Sequence, residues 1–202
     1  MRLVLLVVAV VSVACSSSLM AQDVAYGAKA GVNFATFNFE GELRVEIQRR
    51  VGVAAGGFVW LPIGGRLGLQ PEVLFSQKGV VLKSPASPIA DIIAVLNYLE
   101  VPLLATYRMS GSANRGVYGL AGPSIAFKLS AKTVIRSDDA KEEEDNDEIK
   151  NVDVGVVVGA GMKFDRLVIE ARYTFGLTAV RDAEFEDKAQ NRVITLLAGV
   201  RF

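Results

Sequence analysis

No histidine occurs in the 202-residue chain. Its absence removes imidazole general acid–base chemistry, Ser–His triads and His-ligated metal sites. The one cysteine, Cys15, excludes an intrachain disulfide and a Cys-rich zinc site. Lys and Arg number 22, as do Asp and Glu, so no net positive charge draws the chain to nucleic acid. Beyond the first 21 residues, no apolar run reaches the ~18–20 residues of a transmembrane helix. These gaps close most routes to an enzyme, and the expectation is a non-enzymatic protein without cofactor or resident metal. What remains is rich in apolar residues, 51% of the chain, which excludes a disordered polymer. The length suits one domain.

The first segment reads as a targeting signal. Arg2 precedes Leu3 to Cys15, apolar except for Ser12, and then come Ser16, Ser17, Ser18, Leu19, Met20, Ala21 and Gln22. A positive start, a short apolar stretch and a small residue before a polar terminus define a secretory signal peptide. Cleavage is expected after Ala21, so that residues 1–21 leave and residues 22–202 form the mature domain. A lipoprotein signal would place an aliphatic residue three before Cys15, where Ser12 stands.

The mature chain alternates with period two, the pattern of half-buried strands. Tyr26, Ala28, Ala30, Val32 and Phe34 alternate with Gly27, Lys29, Gly31 and Asn33. Leu67, Leu69, Val73 and Phe75 oppose Gln70, Glu72, Ser76 and Lys78. Leu99, Val101, Leu103, Ala105 and Tyr107 oppose Tyr98, Glu100, Thr106 and Arg108. Three further segments, beginning near Val152, Leu167 and Ile194, repeat the pattern. Two less regular ones, Val51–Leu61 and Gly116–Lys132, complete about eight strands; in the second, the apolar parity switches near Pro123, which predicts a bulge or bend there. Short turns are expected at 62–65, 110–115 and 165–166, and longer links at 38–50, 84–96, 133–151 and 180–191. Segregated short turns and long loops are the pattern of an up-and-down membrane barrel.

The alternative is a soluble, lipocalin-like barrel with its apolar face turned inward. Aromatics near the ends of the apolar faces (Tyr26, Phe37, Trp60, Phe75, Tyr107, Phe164, Phe175) favour a lipid-facing exterior with interfacial girdles. Glycine-rich polar faces suit a narrow lumen. Charges of both signs lie on those faces. Glu72, Glu100, Arg108, Glu170, Arg172 and Arg201 are expected to point inward as a paired structural network. Unpaired charge there would be costly. The chain closes on Val200 and Phe202, the lipid-facing aromatic ending of a barrel-assembly signal, with Leu197 at the position where that signal usually has glycine.

Several motifs carry a family resemblance: Gly27-Ala-Lys-Ala-Gly-Val-Asn-Phe34, Leu69-Gln-Pro-Glu-Val-Leu-Phe-Ser-Gln-Lys-Gly79, Leu96-Asn-Tyr-Leu-Glu-Val-Pro-Leu103, Ala121-Gly-Pro-Ser124, Gly159-Ala-Gly161 and Glu170-Ala-Arg-Tyr-Thr-Phe-Gly-Leu177. In this order, over nearly the whole mature chain, they resemble the PorT-like outer-membrane β-barrel family, a group of small barrels of the OmpA/OmpX type. The resemblance implies an all-β, eight-stranded antiparallel up-and-down transmembrane barrel in the outer membrane of a Gram-negative bacterium. It also implies contact with outer-membrane lipid, lipopolysaccharide and the barrel-assembly machinery.

Residues 138–150 carry eight acids and two lysines, read first as a solvated loop and otherwise as a site for a divalent cation or a basic partner, although calcium-loop spacing is absent. Ile89, Ile92, Ile93 and Leu96 are either a short amphipathic helix or an apolar extension of the next strand. The function expected is that of an envelope-structural, adhesive or complex-subunit barrel, acting through its loops on envelope proteins, with its lumen plugged. A small channel or apolar-ligand carrier is the alternative, and a lipid-modifying enzyme a more distant one.

Overall fold

The computed structural model describes residues 24–38, 46–83, 90–112, 114–137, 140–145, 150–179 and 190–202. The proposed signal segment, the extreme tips of the long links and part of the acidic stretch lie outside the described residues. Nine strands appear: β1 (Ala25–Asn38), β2 (Glu46–Gly64), β3 (Leu67–Lys83), β4 (Ala90–Arg108), β5 (Arg115–Ser137), β6 (Ala140–Asp145), β7 (Val152–Phe164), β8 (Leu167–Ala179) and β9 (Gln190–Arg201). Their order is β4-β3-β2-β1-β9-β8-β7-β5-β6, and β4 also pairs with β5. That last pairing closes the sheet into an eight-stranded antiparallel barrel. β6 is a hairpin extension, bonded to the outer stretch of β5 from Lys132 to Ser137.

Closure leaves no sheet edge within the barrel, so each backbone donor and acceptor finds a neighbouring strand. The pleat then sorts side chains by parity. Val73 and Phe75 face outward and are exposed, whereas Glu72 and Ser76 are buried. The outer surface is apolar from Tyr26, Tyr107, Phe164 and Phe202 at one end to Val51, Val152 and Leu177 at the other. Exposed apolar residues around an entire barrel are what a hydrocarbon solvent selects.

The turns at one end are tight. β2 and β3 meet through Gly65 and Arg66, with Gly65 at φ 57°, and β7 and β8 through Asp165 and Arg166, with Asp165 at φ 56°. Glycine, and to a lesser degree aspartate, accept that left-handed conformation.

The lumen is packed. Phe58, Leu104, Tyr118, Leu120, Val157 and Val168 form one buried apolar cluster, and Leu96, Tyr98, Ala126 and Ala131 a second nearer the long-loop end. Several expectations change here. No bulge occurs at Pro123: the β5–β7 register runs unbroken from Arg115↔Phe164 to Phe127↔Val152. The apolar parity switches there because Tyr118 and Leu120 fill the lumen while Ile125 faces outward. The β4–β5 register instead shifts between Asn97 and Tyr98. Of the two readings of the stretch after Pro88, the extension of the next strand holds from Ala90 onward and the helix does not; Ile89 itself lies outside the described residues. Part of the acidic stretch is strand β6 rather than loop.

Candidate functional site in the barrel lumen

Three levels of polar side chains stack along the lumen. The central level is a four-charge cluster from β1, β3 and β8. Lys29 Nζ donates to Glu72 Oε1 at 2.9 Å and to Glu170 Oε2 at 3.0 Å. Arg172 grips Glu72 in a fork, Nη1 to Oε2 at 2.8 Å and Nη2 to Oε1 at 2.6 Å, and also pairs with Glu170. Gln70 Nε2 donates to both carboxylates, at 2.8 and 3.1 Å, and the Tyr118 hydroxyl donates to Glu170 at 2.6 Å. All four charged side chains are at most 3% exposed. Two positive and two negative charges cancel, and the bidentate Arg–carboxylate geometry is the strongest form such a pair takes. The Phe58 ring lies 4.3 Å from Lys29 Nζ and covers it with a cation–π contact.

A glycine makes one of these contacts feasible. A Cβ on Gly161 would overlap the Tyr118 ring. Its absence lets the tyrosine lie across β7 and reach Glu170.

Toward the long-loop end, Lys78 Nζ pairs with Glu100 at 3.1 Å, and Ser124 donates to the same carboxylate at 2.9 Å. Asn33 joins three strands there, donating to Ser76 at 3.0 Å and accepting from Thr195 at 2.8 Å. Above them Asp153 accepts from Thr178 and Asn191, each at 2.7 Å.

The third level is the mouth at the short-turn end. A cavity of about 300 Å³ opens there between Trp60, Arg66, Arg108, Tyr118, Lys163 and Arg201. Trp60 Nε1 donates to Thr106 at 3.0 Å, and Lys163 Nζ sits 4.3 Å from the indole ring centre. Arg108 donates to the Gly65 carbonyl at 3.0 Å, and Arg201 to Asn114 Oδ1.

Of the residues expected in one paired network, Glu72, Glu170 and Arg172 come together and Glu100 joins Lys78 one level away. Arg108 and Arg201 do face inward but stand apart from these acids, at the mouth. Strand stagger sets the height of each residue along the barrel axis, and height decides its partner. Trp60 corrects another expectation, because it faces the mouth rather than lipid. It shares parity with Phe58, whose side chain is also inward. Of Phe37 only the strand position is described. Val200 and Phe202 face outward, at 39% and 62% exposure. Lys78 and Gln70, absent from the expected network, share the parity of Glu72 and were findable by that signal. Tyr118 was not, because it sits in the segment whose apolar residues change face. Among the described residues no cluster of metal-ligating side chains occurs.

A family model described as an outer membrane protein beta-barrel domain matches residues 20–182. The chain belongs to that family. As an outer-membrane barrel it places its short turns toward the periplasm and its long connections outside. Ail, the attachment invasion locus protein of Yersinia pestis, shares the fold with a TM-score of 0.51 at 15% identity, over 90% of this chain and 100% of Ail. Neisserial surface protein A aligns at a TM-score of 0.45 and 12% identity, over 88% and 99%. No curated protein matches the chain in sequence.

Proposed function

We propose that this outer-membrane barrel is a non-enzymatic, plugged scaffold of the PorT-like type. In this reading it is exported by the 1–21 signal and acts through its outer end as an envelope-structural, adhesive or complex-subunit protein. The observation that carries this reading is the charge-neutral cluster of Lys29, Glu72, Glu170 and Arg172. Through the Glu72–Arg172 fork it crosses the lumen from β3 to β8, four strands apart around the eight-stranded wall, and fills the cross-section that a channel would need. An eight-stranded barrel has room for little beyond such side chains. The wall itself favours the outer end: β4 and β5, at 19 and 23 residues, are about twice as long as the ~9–11 residues that cross a bilayer. The excess lies on the long-loop side and lifts the outer ends of β4 and β5, with β6, clear of the membrane. Among the envelope partners expected there are lipopolysaccharide and surface or complex proteins.

The test is a photo-crosslinking residue placed in intact cells at 84–89, in the β3–β4 link, against one at Gly65 in a short turn. Adducts with an envelope component from the first position support an outer-end function. Adducts confined to the second position would overturn it.

A further inference from the structure

We propose that the periplasmic mouth of the barrel is a binding site for a phosphate group, the phosphate of a phospholipid head group or of a small soluble phosphate. Arg66, Arg108, Lys163 and Arg201 line the 300 Å³ cavity, and no lining residue is an aspartate or glutamate. None of the four forms an ion pair among the described residues. Among the described residues the one acidic side chain at this end, Asp165, is engaged by Arg115 at 2.8 Å. The nearest lumen acid, Glu170, is held by Lys29, Arg172, Gln70 and Tyr118. Deeper in the lumen Lys29, Lys78 and Arg172 each meet a carboxylate; here, among the described residues, four cations converge with none.

Converging uncompensated cations repel one another, and an anion relieves that repulsion. Four charges suit a dianionic or diester phosphate with several acceptor oxygens better than a single carboxylate. Guanidinium forks match phosphate geometry. The Trp60 and Tyr118 rings give the cavity flat apolar walls against which a glycerol or sugar portion packs. Arg108 and Arg201 are held by neutral acceptors, the Gly65 carbonyl and the Asn114 amide, so their charge stays available.

Trp60 is the chain's only tryptophan, so its emission reports on this cavity alone. The refolded full chain in nonionic micelles is titrated with inorganic phosphate and with glycerol 3-phosphate, at ionic strength held constant with chloride. A parallel series uses vesicles of phosphatidylcholine with and without phosphatidylglycerol. The expected result is a saturable change in Trp60 emission. Arg108→Gln and Lys163→Gln each raise the half-saturating concentration about tenfold, the loss of one charge-assisted contact. Saturation by the soluble phosphates assigns the site to a free ligand; saturation only with phosphatidylglycerol assigns it to a head group. A linear response, an equal response to chloride, or unchanged titration in both variants overturns the proposal. Arg66→Gln lies in a two-residue turn outside the packed lumen. It supplies the same test should either other variant lose its heat-modifiable gel mobility.

Discussion

Replacing Glu170 with glutamine keeps the shape of the central cluster and removes one negative charge. Lys29, 3.0 Å from Glu170, and Arg172 then share Glu72 alone, and the buried cluster carries a net charge of one. At an effective dielectric of ~20, a contact of that length corresponds to about 5 kcal/mol of Coulomb energy. Part is offset because Glu170 no longer has to be stripped of water. Breaking one partner of such a buried pair leaves about 3–5 kcal/mol of net destabilisation. Restoring neutrality recovers much of it: Lys29→Met with Glu170→Gln leaves the Arg172–Glu72 fork intact, and is expected within about 2 kcal/mol of the unaltered protein. The assay is urea unfolding of the barrel in lipid vesicles, followed by Trp60 emission and by the heat-modifiable gel band. A Glu170→Gln change below about 0.5 kcal/mol, the range of ordinary surface substitutions, would refute the view that charge balance holds the lumen together. So would a double variant less stable than the single.

Other expectations follow from the same lumen. Glu100→Ala strands Lys78 and lowers the unfolding temperature, while conductance in planar bilayers stays at the membrane baseline; unchanged stability with new conductance would make the pair part of an ion path rather than structural filling. Gly161→Val drives Tyr118 from Glu170 and costs about 1–3 kcal/mol by overpacking, read by the same unfolding assay. Val158→Arg, midway along β7 on the lipid face, costs about 2–4 kcal/mol if that face meets hydrocarbon; a neutral result would turn the barrel inside out. Lipids brominated along their chains leave Trp60 emission nearly unquenched, whereas strong quenching would return the indole to the lipid face.

Much of this molecule is legible in its sequence because a strand has only two faces. Once Glu72 is assigned inward, Gln70, Ser76 and Lys78 follow, and so do Val73 and Phe75 outward. The reading weakens where polar residues no longer mark one face. Around Trp60 the segment from Val51 to Leu61 is apolar or glycine at every position, and nothing local distinguishes lumen from lipid. Around Pro123 the lumen is itself filled by Tyr118 and Leu120, so hydrophobicity changes parity without any change in the backbone. Partner choice inside the lumen was hidden for a different reason. Arg172 and Arg201 have the same orientation, but stagger between strands sets one at the level of Glu72 and the other at the mouth. The outer extension of β5 to Ser137 was missed, because Thr133–Ser137 mixes polar and apolar residues without strict alternation, whereas the extension of β4 was one of two readings, since Ile92, Ile93 and Leu96 also fit a helical spacing.

The claim that the lumen is sealed is tested most directly by planar-bilayer recording of the refolded, heat-modifiable barrel. With the Lys29–Glu72–Glu170–Arg172 cluster intact, no unitary current steps are expected at any voltage the membrane withstands. Reproducible single-channel steps from that same folded species would contradict the account and make the barrel a channel.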